Sequence, residues 1–104
     1  MILYNVTVQT EPEIEQDWIQ WMQQEHIPEL LATGLFTEAR LCRLTQQPED
    51  SAPTYAAQYF FPDQTSYDTY LDTYAPAMRQ KGIDRFGSRF VAFRTVLEVL
   101  SVHP

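Results

Sequence analysis

One histidine, His26, lies where an apolar helical stripe meets a proline. Ile14, Trp18, Met22 and His26 recur at i+4 steps and Trp21 joins them, so a helix here turns all five towards one surface. An imidazole of ordinary pKa, about 6.5, exchanges protons near neutral pH when its surroundings change only slightly. Pro28 removes a backbone donor and crowds the turn before it, which predicts a kink or break that leaves the Gln24 carbonyl without its usual partner. His26 is therefore the candidate catalytic residue, for proton transfer. Tyr4 and Tyr59, on strand-like segments, and Trp21 beside the histidine are the candidate ligand-binding residues. Together they describe an apolar slot with a few polar groups, the usual build of a small-molecule site. The competing reading makes His26 a core or helix-end histidine bonded to a tyrosine or a freed carbonyl, with Trp18 and Trp21 as core anchors.

Other chemistry has little support. Glu25 precedes His26, but adjacent helical residues do not face each other. Two histidines and no cysteine cluster give no metal-binding spacing, so no metal is expected. Three glycines and no phosphate loop leave no cofactor signature, and none is expected. Cys42 has no activating base nearby in sequence and reads as a silent thiol. Arg79, Lys81, Arg85 and Arg89 form the one basic patch and read as solvated, charge-balancing residues.

The totals narrow the partners. A net charge of −7 argues against nucleic acid and against an anionic membrane surface, both of which are held by Lys and Arg. No apolar run approaches the roughly 18–20 residues of a membrane span, and the N-terminus carries no secretory pattern. A lone cysteine fits a reducing compartment, so the expected location is cytoplasmic. At 104 residues the chain is read as one domain, 1–104.

The elements that must position these residues follow from periodicity. Residues 2–9, 36–46, 53–61 and 89–100 alternate as strands, the middle two joined as a hairpin. Thr10 and Glu13 suggest a capping box for a first helix that begins near Pro12 and stops at Gly34. Asp63 is placed to cap a second helix with the stripe Tyr67, Tyr70, Leu71, Tyr74 and Met78, which Pro76 splits in two. The order βαββαβ predicts a ferredoxin-like α+β sandwich, a four-stranded antiparallel sheet with two helices on one face.

That arrangement leaves the other face of the sheet bare. Tyr4, Val6 and Val8, then Tyr55, Ala57, Tyr59 and Phe61, then Val91, Phe93, Leu97 and Val99 are expected to meet the helices. Leu3, Asn5, Gln58, Phe60, Phe90 and Arg94 are then expected on the opposite face, which is too apolar for water and predicts a twofold homodimer, sheet against sheet. The faces of the second strand, with Arg40 and Cys42 on one side and Leu41 and Arg43 on the other, stay unassigned.

With that order in hand, the chain resembles the dimeric α+β barrel superfamily, through Trp21, His26 and Pro28 late in the first helix. It also resembles an uncharacterised bacterial domain-of-unknown-function family. The residues that carry this are Tyr4-Asn5-Val6-Thr7, Trp18-x-x-Trp21-Met22, His26-Ile27-Pro28, Ala32-Thr33-Gly34, Gln58-Tyr59-Phe60 and Phe90 to Thr95, across Met1 to Leu97. The superfamily includes cofactor-independent antibiotic-biosynthesis monooxygenases, haem-degrading monooxygenases and muconolactone isomerases. The resemblance implies a homodimer with a pocket between sheet and helices in each subunit. Asn5 matches a first-strand Asn of the haem-degrading members, but their histidine is on the second helix, which has none here. The function expected is binding of a small apolar or aromatic molecule between the first helix and the sheet, with monooxygenase- or isomerase-like chemistry. The alternative is a non-catalytic homodimeric structural or regulatory module whose core fills itself. An RNA-binding module of the same topology is disfavoured by the acidic charge.

Overall fold

The alternating segments pair into one antiparallel sheet in a computed structural model that describes residues 1–104. Its strands are β1 (Ile2–Thr10), β2 (Glu38–Arg43), β3 (Thr54–Phe61) and β4 (Phe90–Glu98), in the order β2-β3-β1-β4. This is the ferredoxin-like α+β arrangement, with helices on one face. No helix is long and apolar enough to cross a membrane.

The register decides which side chains meet the helices. On β1 and β3, Tyr4 lies opposite Tyr59, Val6 opposite Ala57 and Val8 opposite Tyr55. These residues, with Ile2 and Phe61, form the sheet side of a core completed by Trp18, Trp21, Met22, Leu30, Phe36 and Tyr70. Phe61, fully buried, packs on Phe36, Tyr67 and Tyr70 at ring separations of 4.4, 5.4 and 5.8 Å.

On β4 the register reverses the sequence expectation. Tyr4 pairs with Val96, Val6 with Arg94, Val8 with Ala92 and Thr10 with Phe90. Phe90 and Arg94 therefore face the helices, and Val91, Phe93 and Leu97 share the open face with Leu3, Asn5 and Thr7. Apolarity misleads here because β4 is apolar on both sides; pairing with β1 is what sets its faces. The same register settles β2: Ala39, Leu41 and Arg43 face the helices, and Glu38, Arg40 and Cys42 face outward.

The helical segments differ in how they handle proline. Asp63 accepts a hydrogen bond from the Ser66 amide at 2.8 Å and caps α3 (Gln64–Thr73). The chain then breaks at Tyr74, and α4 (Ala75–Phe86) starts with Pro76 in its first turn, where no donor is needed. Gly87, at φ 62°, ends α4. The Thr10–Glu13 capping box does not form. Thr10 ends β1 with its amide bonded to the Pro53 carbonyl and its buried hydroxyl unpartnered, and a 3-10 turn (Pro12–Ile14) opens the first helix.

Candidate functional site

Pro28 shapes the site without breaking the helix. Between α1 (Glu15–Trp21) and α2 (Ile27–Ala32), residues Met22–His26 widen into a π turn, in which the Ile27 amide reaches back to the Met22 carbonyl. A π turn absorbs an extra residue and so accommodates a proline at the head of the next helical segment. It also changes what faces what. In an α-helix, residues five apart diverge by about 140° around the axis. Here the His26 ring stacks on Trp21, five residues back, at 4.4 Å between centroids and 20° between planes.

Beneath this turn lies a cavity of about 80 Å³, lined by 17 residues. Tyr4, Val6 and Val8 of β1, Ala57 and Tyr59 of β3, and Phe90, Ala92 and Arg94 of β4 form its floor. Trp18, Trp21, Met22 and His26 cover one side; Met78, Arg79 and Gly82 of α4 close the other. Gly82 packs between two rings, where even a Cβ would only reach van der Waals contact, 3.4 Å from Phe90 and 3.7 Å from Trp21. The space is about half of the ~150 Å³ that admits benzene, so a ring-sized ligand requires side chains at the opening to move. The residues able to do so are Met78, half-buried, and the exposed Arg79 and Arg94.

The polar groups of the cavity are few and specific. His26 Nδ1 is buried with no hydrogen-bond partner. Burial lowers the His26 pKa to about 4, with Glu29 opposing that shift and Lys81 adding to it. The ring is therefore neutral at pH 7. Burial also raises the Tyr59 and Tyr70 hydroxyls above the usual phenol range, so both stay protonated. The Tyr4 hydroxyl accepts two hydrogen bonds, from Arg79 Nη2 at 3.3 Å and Arg94 Nε at 3.1 Å. With both lone pairs engaged, it keeps only its proton to offer a ligand.

The structure brings Tyr4, Trp21, His26 and Tyr59 into one cavity. No tyrosine orients His26, whose Nδ1 is unpaired. Phe90 and Arg94, expected on the bare face, line this cavity instead. Leu3, Asn5, Gln58 and Phe60 do lie on the open face, where Gln58 donates to Asn5 at 3.3 Å and Asn5 donates to Thr7 at 3.1 Å. Sequence reasoning missed Arg79, grouping it with the solvated residues Lys81, Arg85 and Arg89. The signal was the stripe Ala75, Arg79, Gly82 and Phe86, whose other three members are buried.

The profile of a family described as a domain of unknown function (DUF4286) matches residues 1–100. No protein of curated function matches the chain. Among solved structures, HapK from Hahella chejuensis is similar at a TM-score of 0.73 and 11% identity, over 100% of this chain and 97% of that one. An ethyl tert-butyl ether (EthD) family protein from Bacillus halodurans gives 0.71 and 15%, over 96% and 100%. A dimeric ferredoxin-like protein of unknown function from Jannaschia sp. gives 0.53 and 25%, over 95% and 100%.

Proposed function

The chain belongs to DUF4286, a family of domains of unknown function, and we propose that its single domain, 1–104, binds a small aromatic molecule between the π turn and the sheet. His26 is the proton-transfer group, and Tyr4, Trp21 and Tyr59 form the walls that hold the ring. The observation that carries this reading is that His26, whose Nδ1 is buried and unpartnered, lines an apolar cavity. A buried polar atom without a partner is rare enough to require an explanation, and a ligand group at Nδ1 supplies one. Negative charge developing on that ligand would raise the basicity that burial suppresses. Isomerase-like proton transfer suits such a group.

The same reading includes a homodimer formed through the open face, in a cytoplasmic setting. Val91, Phe93 and Leu97 are 51%, 61% and 46% exposed there. Most of the polar residues among them, Gln9 and Thr95 excepted, are already bonded to one another: Asn5 to Thr7, Gln58 to Asn5, and Arg40 to Glu38. Covering them therefore strands little hydrogen-bonding capacity. A dimeric state is also how the Jannaschia protein is described.

Neutral single-ring probes, phenol and benzamide, test the pocket by thermal shift and by tryptophan fluorescence. Both should stabilise the protein, and His26→Ala should abolish the shift while far-UV circular dichroism stays unchanged. A shift of equal size in that variant removes His26 from the site.

A further inference from the structure

We infer that Arg79 and Arg94 form a carboxylate clamp at the opening of this cavity, so that the ligand carries an acidic group. The inference rests on the pocket reading above and specifies the chemistry of its ligand. The two guanidinium groups come from α4 and β4 and converge on a single phenol oxygen, Tyr4 Oη, at 3.3 and 3.1 Å. Two positive charges brought to one neutral atom repel each other, and a phenol offers only two lone pairs against five donors on each arginine. Most of those donors remain for something else.

The distribution of charge sharpens the point. The chain has 14 Asp and Glu against 7 Lys and Arg, so carboxylate partners are plentiful. Arg40, Arg89 and Lys81 each take one, from Glu38, Glu11 and Glu29. Arg79 and Arg94 have none; of the other two arginines without one, Arg43 donates to the Tyr55 hydroxyl and Arg85 lies over the Phe86 ring, away from this cavity. A guanidinium fork matches the planar geometry of a carboxylate in a bidentate pair, and the small size of the cavity favours that compact anion. The Tyr4 hydroxyl proton supplies a third donor at the same point.

The cavity fixes the orientation of such a ligand. Arg94 and Phe90 both line it and lie four residues apart on β4, about 13 Å along the strand at ~3.3 Å per residue. Phe90 lies beside Trp21 and Gly82, at the end capped by His26. An aromatic acid would place its carboxylate on the two arginines and its ring or side chain towards His26.

Benzoate and phenylacetate, compared with the isosteric benzamide and phenylacetamide, test this by calorimetric or NMR titration of the intact protein. The acids should bind at least roughly tenfold tighter than the amides, and high salt should erode the acid affinity alone. In the double variant Arg79→Gln, Arg94→Gln the acid advantage should fall below twofold while amide binding persists. Equal affinity for acid and amide in the wild type overturns the clamp and leaves the pocket standing. An unchanged acid advantage in the double variant also overturns it, because the anion is then bound elsewhere. No binding of either class overturns the clamp and the pocket together.

Discussion

The two faces of the sheet solve opposite problems with the same strands. The covered face is aromatic and closely packed, with Tyr4, Tyr55, Tyr59 and Phe61 each under 5% exposed. It then admits cations at one edge, where Arg79 and Arg94 meet Tyr4. The open face is apolar towards β4 and polar across Asn5, Gln58, Arg40 and Glu38, and these four bond among themselves or to Thr7. One face leaves arginine donors unmatched at the rim of an apolar wall, and the other leaves apolar groups unmatched beside mostly satisfied donors. Unmatched donors suit a polar ligand; unmatched apolar surface suits a second protein surface.

The contrast is sharpest for aromatic truncation. Phe61→Ala empties the centre of the covered face and should cost about 3–5 kcal/mol in denaturant unfolding, much of the stability of a domain this size. A loss below about 1 kcal/mol would mean that the core does not depend on that face. Next comes pH. His26 has a pKa of about 4 in the fold and 6.5 as the unfolded reference, so the unfolded chain binds more protons between those values. Stability should therefore fall as pH drops from 6.5 to 4 and level off above 6.5, by at most about 3.4 kcal/mol at 1.36 per pKa unit. His26→Phe keeps a ring over Trp21 but cannot titrate, and should lose that part of the slope; equal slopes in the two proteins would refute the assignment. The smallest change belongs to the open face. Phe93→Asp should weaken self-association about a hundredfold, roughly 2.8 kcal/mol, in sedimentation velocity, with monomer unfolding nearly unaltered. A wild type that is monomeric throughout removes the dimer.

Where one face of an element was polar, the sequence was readable. β1 alternates Tyr4, Val6 and Val8 with Asn5, Thr7 and Gln9, and its faces follow directly. β4 sets Phe90, Ala92 and Val96 against Val91, Phe93 and Leu97, so no pattern of polarity separates its sides, and only hydrogen-bonded pairing does. The site was legible in part for the same reason. Trp21 and His26 belong to a visible stripe, and Tyr4 and Tyr59 to strands with clear parity. The π turn was not legible, because Pro28 permits a kink, a break or a widened turn, and tertiary packing selects among them. Arg79 was hidden by its neighbours in the chain: two residues along a helix turn about 200°, so it and Lys81 point to different sides.

The strand order carries a consequence for how the chain reaches this state. β1 emerges first yet lies between β3 and β4, pairing Leu3 with Phe60 and Thr10 with Phe90. Its ladder with β3 needs the chain only as far as Phe61, but its ladder with β4 must wait for residues 90–98. Such long sequence separations slow folding towards the millisecond-to-second range. Until β4 docks, β1 can pair only through its β3 side, and its other edge stays open.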